Sequence, residues 1–414
     1  MMDCLGNVAL VTMGQSPDSE YYSDEEVGLP FLQGCAEFQA KIPKPVLFCS
    51  HAKKIATAGS ILLSVRAPVG RTNMADRDYI IGRGLAGISA TEIDQNYLAH
   101  YLAYSESRLR NISQGSTFEA INGAELKRWL IAFPKSRFEQ TKIAEILCTV
   151  DRAIEQTEAL IAKQQRVKTG LMQDLLTRGI DEHGNLRSEE THQFKDSPLG
   201  RIPVEWGVNT LGCLSSNITK GESPNWQGYE YQSEGVLFVT SENVRDGYLD
   251  LVTARKFIPE AFHKKLERSQ LQKGDVLINL VGASIARTAV FNIEEAANIN
   301  QAVCLIQSGN LINPIWLAEY LRLPNNVSRL LGEQVETARA NLSLGDIRSF
   351  DLAVPPIDEQ RRVSELIIGC DRQSQKNEES LIRLCSIKTA LMQDLLTGKV
   401  RVTPLLDSTE VMSE

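Results

Sequence analysis

The string TGLMQDLLT at residues 169–177 returns as TALMQDLLT at residues 389–397, 220 positions later. The register holds upstream without a gap. Glu139-Gln140 stands against Glu359-Gln360, Ile143 against Val363, Glu145 against Glu365, and Asp151-Arg152 against Asp371-Arg372. About forty residues recurring in step mark an internal duplication, which organises the chain before any local reading does. Fainter echoes extend it. Gly14-Gln15-Ser16-Pro17 parallels Gly221-Glu222-Ser223-Pro224, and GSILLSVRAPVGRT (59–72) parallels GDVLINLVGASIART (274–288). The plan is A–B–A′–B′, with diverged A segments and B segments kept alike.

Each B segment reads as one long helix. In the first, Ile143, Ile146, Leu147, Val150, Ile154, Leu160, Ile161, Val167, Leu171 and Leu175 step mostly by threes and fours, the spacing of one helix face. The second gives Val363, Leu366, Ile367, Leu381, Leu384, Ile387, Leu391 and Leu395. Neither contains proline, and Pro134 and Pro355-Pro356 precede them, as suits a boundary before a helix start. Residues 139–178 carry six acidic and six basic side chains, and residues 358–399 carry seven of each. Balanced charge with an apolar stripe predicts a helix packed on another. The two copies are the obvious partners, through Ile143, Leu147, Val150, Ile154, Leu171 and Leu175 on one and Val363, Ile367, Leu384, Leu391 and Leu395 on the other. The alternative places each helix in its own globular core. In the A segments, Ile61-Leu62-Leu63 and Val276-Leu277-Ile278 read as buried strands, and 96–109 and 314–323 as helices. The expected fold is mixed α/β (α+β): two globular domains separated by two long helices, paired as an antiparallel coiled-coil-like bar, with an internal pseudo-repeat.

Composition narrows the function. At 414 residues the chain suits two or three domains, and 43% hydrophobic with 23% charged residues allows each a core. The net charge of −8 excludes a globally basic nucleic-acid binder and leaves room for a local basic face. No apolar run approaches the roughly 18 residues of a membrane span, and MMDCLGNVALVTMG lacks the basic start of a signal peptide. The eight cysteines form no Cys-x-x-Cys pair, so no metal site is expected, and scattered thiols suit a reducing cytoplasm.

Enzyme signatures are weak. Gly82-Arg83-Gly84-Leu85-Ala86-Gly87 has the letters of a dinucleotide loop but opens no helix, so a tight turn is expected. Asn313-Pro314-Ile315-Trp316 has the look of an amino-methyltransferase loop without its second proline, and a helix cap explains it as well. There is no phosphate loop and no His-Glu-x-x-His, and Glu294-Glu295 reads as a solvated pair.

The run Pro355-Pro356-Ile357-Asp358-Glu359-Gln360, followed by a long helix ending in LMQDLLTGKVRV, resembles the distal repeat of type I restriction–modification specificity subunits. Phe138-Glu139-Gln140 through LMQDLLTRGI resembles their central repeat. Gly200-Arg201-Ile202-Pro203-Val204-Glu205-Trp206 resembles the opening of a target recognition domain, and Gln114-Gly115-Ser116-Thr117 another recurrent piece. The first copy lacks the Ile-Pro-x-x-Trp lead-in, so a loosely held start is expected there. The resemblance implies a first target recognition domain at 1–137, a central helix at 138–180, a linker at 181–205, a second recognition domain at 206–356, a distal helix at 357–400 and a tail at 401–414. It implies that each recognition domain reads half of a split, asymmetric sequence in double-stranded DNA. The helices would space the readers and bind two modification subunits, and restriction subunits would join them. S-adenosylmethionine, ATP and Mg would sit on those partners, and none on this chain, which would be non-catalytic.

The DNA contacts expected on this basis are Lys53, Lys54, Arg66, Arg71 and Arg83 in the first reader. In the second they are Lys220, Ser241, Asn243, Arg245, Arg287, Arg339 and Asn341. Arg71-Thr72 and Arg287-Thr288 hold corresponding places, and arginine and asparagine can grip guanine and adenine edges by two hydrogen bonds. The competing reading is a protein-binding scaffold with two modules on a helical spacer, which the acidic balance favours.

Overall fold

The computed structural model describes residues 1–39, 41–113, 120–332 and 341–405. Four helices organise it: α1 (Gln95–Tyr104), α2 (Arg137–Thr177), α3 (Pro314–Arg322) and α4 (Ile357–Leu396). The chain forms two compact units, residues 1–160 with 377 onward, and residues 161–376. Each unit therefore holds the first half of one long helix and the second half of the other.

Within each unit the two halves lie antiparallel. In the first, Ile143 and Leu147 of α2 share a buried cluster with Leu395 and Leu396 of α4. In the second, Leu175 and Leu176 pack with Val363 and Ile367. Asp151 meets Lys388 at 2.6 Å in the first unit, and Lys168 meets Asp371 in the second. These are one ion pair seen twice, 220 residues apart, with the partners exchanged between helices.

The stripe that turns inward on α2 runs through Ile143, Leu147, Val150, Ile154, Thr157, Ile161, Gln164, Lys168, Leu171 and Leu175, all buried or half-buried. Its steps alternate four and three, the 3.5-residue period of a coiled-coil seam. The same steps from Val363 to Leu395 on α4 take in Cys370, Ser374, Asn377, Leu384, Lys388 and Leu391. This corrects the expected apolar face. Leu160 and Val167 are 44% and 59% exposed, as Leu366 and Ile387 are 46% and 49%. Leu160 and Val167 each lie one position before a seam residue, and polar side chains occupy the seam's middle instead. Val150, Ile154 and Leu384 are half-buried on the stripe and lie outside the fully buried clusters.

The repeated Glu-Gln pair fastens each unit together. Buried Gln140 accepts from Asp94 N–H at 2.7 Å and donates to the Pro134 carbonyl, and Asp94 in turn caps α1. Gln360 accepts from Asn313 N–H at 2.8 Å and donates to the Pro355 carbonyl, and Asn313 caps α3 by accepting from Ile315 and Trp316 N–H. The Asn-Pro-x-Trp run is thus a helix cap with proline at its first turn. Glu139 takes a two-pronged bond from Arg401, both distances 2.6 Å. Glu359 takes one from Arg187, at 2.5 and 3.1 Å, and also accepts from the Trp206 indole and Ile180 N–H. Gly179 lets the chain leave α2 at this point. Its φ is +68°, and a Cβ there would stand 2.0 Å from the Glu359 carboxylate. Segment 181–205, expected as a polar link, carries this buried arginine and a strand pair, Phe194–Ser197 with Gly200–Pro203.

Both units repeat one sheet. In the first, β1 (Ala9–Met13), β2 (Ile61–Ser64), β3 (Thr72–Met74) and β4 (Leu85–Ala90) pair antiparallel in the order β1-β4-β2-β3. In the second, β5 (Ser215–Lys220), β6 (Val276–Asn279), β7 (Thr288–Val290) and β8 (Val303–Ser308) pair in the order β5-β8-β6-β7. A further sheet in each sets two strands parallel, Leu29–Leu32 beside Tyr79–Ile81 and Val236–Val239 beside Ala297–Ile299. The expected loose start is corrected: Met2–Cys4 pairs with Leu130–Ala132, as Gly207–Thr210 pairs with Asp351–Val354. The helix expected at 96–109 breaks at Ser105. Among the described residues no helix is long and apolar enough to cross a membrane.

Truncating Glu359 to alanine would leave Arg187, whose side chain is 7% exposed, with only the Glu205 carboxylate, 3.9 Å away, as an ion-pair partner among the described residues, and should remove about 3 kcal/mol of stability. Glu139→Ala should remove less, because Arg401 is 62% exposed and water can take over. Denaturant titration of both variants checks the order, and equal losses would contradict it. Burial pushes the Asp275 carboxyl from 3.8 up to about 6, against a hydrogen bond from Gln272 N–H at 2.6 Å. With the folded value the higher, the stabilisation is complete below the ordinary value and is lost as pH rises through about 6. The melting temperature of Asp275→Asn should therefore gain on that of the natural chain between about pH 4 and 7. A constant difference would contradict this.

Candidate nucleic-acid interface

The register of β2 with β3 and of β6 with β7 places one arginine identically in each unit. Leu63 opposes Thr72, and Ile278 opposes Thr288. One residue back, Ser64 N–H donates to the Arg71 carbonyl at 2.8 Å, and Asn279 N–H donates to the Arg287 carbonyl at 2.9 Å. The backbone is pinned at both arginines, which hold the same register position in the two corresponding sheets.

In the first unit Arg71 joins Arg66 and Arg83 on an open cleft of about 1840 Å³. Arg71 makes a loose pair with Glu106, 3.5 Å apart and exposed, of the kind worth little. The guanidinium groups of Arg66 and Arg83 are exposed and have no hydrogen-bond or ion-pair partner among the described residues. Lys53 and Lys54 stand outside this group. Lys53 holds Asp18 at 3.1 Å, and Lys54 is exposed. The structure thus gathers three of the five cations expected here. The glycine-rich run at 82–87 is the turn from Tyr79–Ile81 into β4, and a Cβ on Gly84 would meet the Gln33 carbonyl at 2.6 Å.

The second unit divides its expected contacts. Arg287 is half-buried, and its guanidinium has no partner among the described residues. Lys220 is exposed at the end of β5, and Ser241 is half-buried with its carbonyl accepting from Asn279. Arg245 pairs with Asp250 at 3.4 Å. Hydrogen bonds led by the Thr253 hydroxyl hold that carboxyl down at about 2. Asn243 is a correction. It is 1% exposed, accepts from Thr240 N–H and Oγ1, and donates to the Asp250 and Ala254 carbonyls, so its amide pins a loop and cannot reach a base. Asn341 is exposed and bridges Val281 through its backbone. Arg339 and Gln114-Gly115-Ser116-Thr117 lie outside the described residues.

Sequence reasoning passed over Gln15, Gln33 and Gln39, which line the same cleft as the three arginines. Gln15 stood inside the Gly-Gln-Ser-Pro echo, but as a marker of the repeat. Glu294 and Glu295, read as solvated, pair with Lys273 and Arg255 on the surface.

A family model described as type I restriction modification DNA specificity domain matches residues 13–164 and again residues 203–383. The chain is 38% identical over 172 residues to the putative type I restriction enzyme MjaX specificity subunit of Methanocaldococcus jannaschii, a match spanning 41% of this chain and 40% of that protein. It is 25% identical over 324 residues to the type I restriction enzyme MjaVIII specificity subunit of the same organism, covering 76% of this chain and 72% of the relative. In fold it is similar to the S subunit of a type I restriction–modification system from M. genitalium, with a TM-score of 0.59 over 95% of each chain at 16% identity. Two matches of one family model fall on the two halves of the duplication and together span most of the sequence, so this chain belongs to the family of type I restriction–modification DNA specificity domains.

Proposed function

We propose that the chain is the DNA-specificity subunit of a type I restriction–modification complex and that it reads a bipartite, asymmetric sequence, one half with each unit. The observation that carries this is the repeated sheet with Arg71 and Arg287 at one register position. A frame kept twice, with unlike loops around it, suits two unlike half-sites, as paired modules in other binders each take a half-site. A second fold neighbour, with a TM-score of 0.59 over 96% of this chain, is a structure concerned with complex assembly of the type I system. We extend assembly to this chain: two modification subunits and the restriction subunits gather on it, methyl transfer and ATP-dependent cleavage belong to them, and S-adenosylmethionine, ATP and Mg are theirs. This chain contributes recognition and no chemical step.

The charge of −8 keeps one rival in play, a scaffold that binds only proteins. Duplex-binding titrations of the chain assembled with its modification subunits separate the two. DNA recognition requires affinity that falls linearly with the logarithm of salt concentration, from release of counterions. A scaffold adds nothing to the salt slope of the modification subunits measured without this chain. In the same complex Arg71→Ala and Arg287→Ala should each weaken binding by about 1–3 kcal/mol. Unchanged affinity would remove that arginine from the interface.

A further inference from the structure

Five side chains on the cleft of the first unit end in two-pronged hydrogen-bonding groups, are exposed and meet no partner among the described residues. They are the amides of Gln15, Gln33 and Gln39 and the guanidinium groups of Arg66 and Arg83. Isolated surface amides are ordinarily just solvated. The backbone beneath three of these argues for more.

Gln15, Gln33 and Arg83 issue from loops tied to one another. Gln15 N–H donates to the Ile81 carbonyl at 2.9 Å, Gly82 N–H to the Leu32 carbonyl at 2.8 Å, and Arg83 N–H to Ser16 Oγ at 3.3 Å. The loops are so close that a Cβ on Gly14 would stand 2.1 Å from the Gly82 carbonyl oxygen. Three adaptable side chains thus leave one pre-organised frame, which reduces the ordering cost of binding. Two nearby carboxylates are already engaged, Asp18 by Lys53 and Glu106 by Arg110 at 2.6 Å. Glu37 has no cation partner among the described residues, which disfavours a phosphate along its wall.

The second unit builds the same frame with other side chains. A Cβ on Gly221 would meet the Ile299 carbonyl at 1.7 Å, and Asn300 N–H donates to the Val239 carbonyl at 3.1 Å, as Gly82 does to Leu32. By this correspondence Glu222, Thr240 and Gln301 hold the places of Gln15, Gln33 and Arg83. Glu222 is taken by Gln227 at 2.5 Å and by Arg268, and Thr240 by Asn243 at 3.1 Å. The frame is constant while the side chains differ in type and in freedom.

We propose that Gln15, Gln33 and Arg83 are base-reading positions of the first unit and take purine edges in a DNA major groove. Glutamine grips adenine and arginine grips guanine, each through two hydrogen bonds. The proposal rests on the DNA-specificity reading above and deepens it, placing guanine and adenine in the half-site of the first unit.

The test uses the full chain expressed with its modification subunits, mapping methylated sites across a host genome for the natural chain, Arg83→Ala, Arg83→Lys and Gln33→Ala. Arg83→Ala and Gln33→Ala should each lose base preference at one position in one half of the methylated sequence, by about tenfold to a hundredfold, with the other half unchanged, and Arg83→Lys should lose part of it. Arg83→Lys keeps the charge and loses the planar fork, so a phosphate contact would survive it unchanged and a guanine contact would be weakened. An unaltered sequence in Arg83→Ala or in Gln33→Ala overturns the proposal. Should a variant methylate nothing, its purified complex is titrated with duplexes carrying single base changes. Loss of discrimination at one base, with the other bases still discriminated, supports the proposal, and discrimination retained at every base overturns it. No sequence-specific methylation by the natural chain would instead sink the DNA-specificity reading, a distinguishable failure.

Discussion

Two copies of one helix sequence, laid antiparallel within each unit, make their central ion pair and their apolar packing in duplicate, and the rest of the structure depends on that constraint. The ion pair of Asp151 with Lys388 is answered by that of Lys168 with Asp371, and the packing of Ile143 with Leu395 by that of Val363 with Leu175. The pairing inside one unit is thus that inside the other with the two helices exchanged. Apolar residues close the seam where the globular cores meet it, and polar residues such as Thr157, Gln164 and Lys168 occupy its middle. A seam greasy throughout would tolerate slipped registers, whereas charged partners at fixed positions penalise them.

The same duplication explains why Glu-Gln recurs at the head of each helix. The glutamine side chain holds the capping loop of a reader helix, and the glutamate holds an arginine from the chain that leaves the opposite helix. They attach each recognition unit to its helix halves through directional bonds, those of the glutamine alike in both units and that of the glutamate more deeply buried in the second. With attachment settled in the B segments, the A segments need to keep only the sheet frame and its glycine contacts, and their exposed loops are free to diverge.

Much of this was legible in the sequence because it rested on local or repeated signals. The 220-residue register, the proline-free helices and the Asn313-Pro314 cap each depend on residues close in sequence or on literal recurrence. What stayed hidden depended on partners far along the chain. Arg187 looked like one charge in a polar stretch, because Glu359 lies 172 residues away. Leu160 and Val167 looked like seam residues, because counting apolar positions does not reveal a 3.5-residue phase that runs through Thr157, Gln164 and Lys168. Asn243 and Gln33 are both side-chain amides, and only the fold tells which is spent inside a loop and which is left for a partner.

The central claim is that one chain carries two independent readers on a repeated frame. Its most direct test is to replace residues 207–354 with the corresponding segment of another family member and sequence the methylated sites of a host carrying the hybrid and its modification subunits. The account predicts that one half of the methylated sequence changes while the other half stays as it was. A hybrid that alters both halves together, or a natural chain whose methylated sequence is one uninterrupted word, would contradict it.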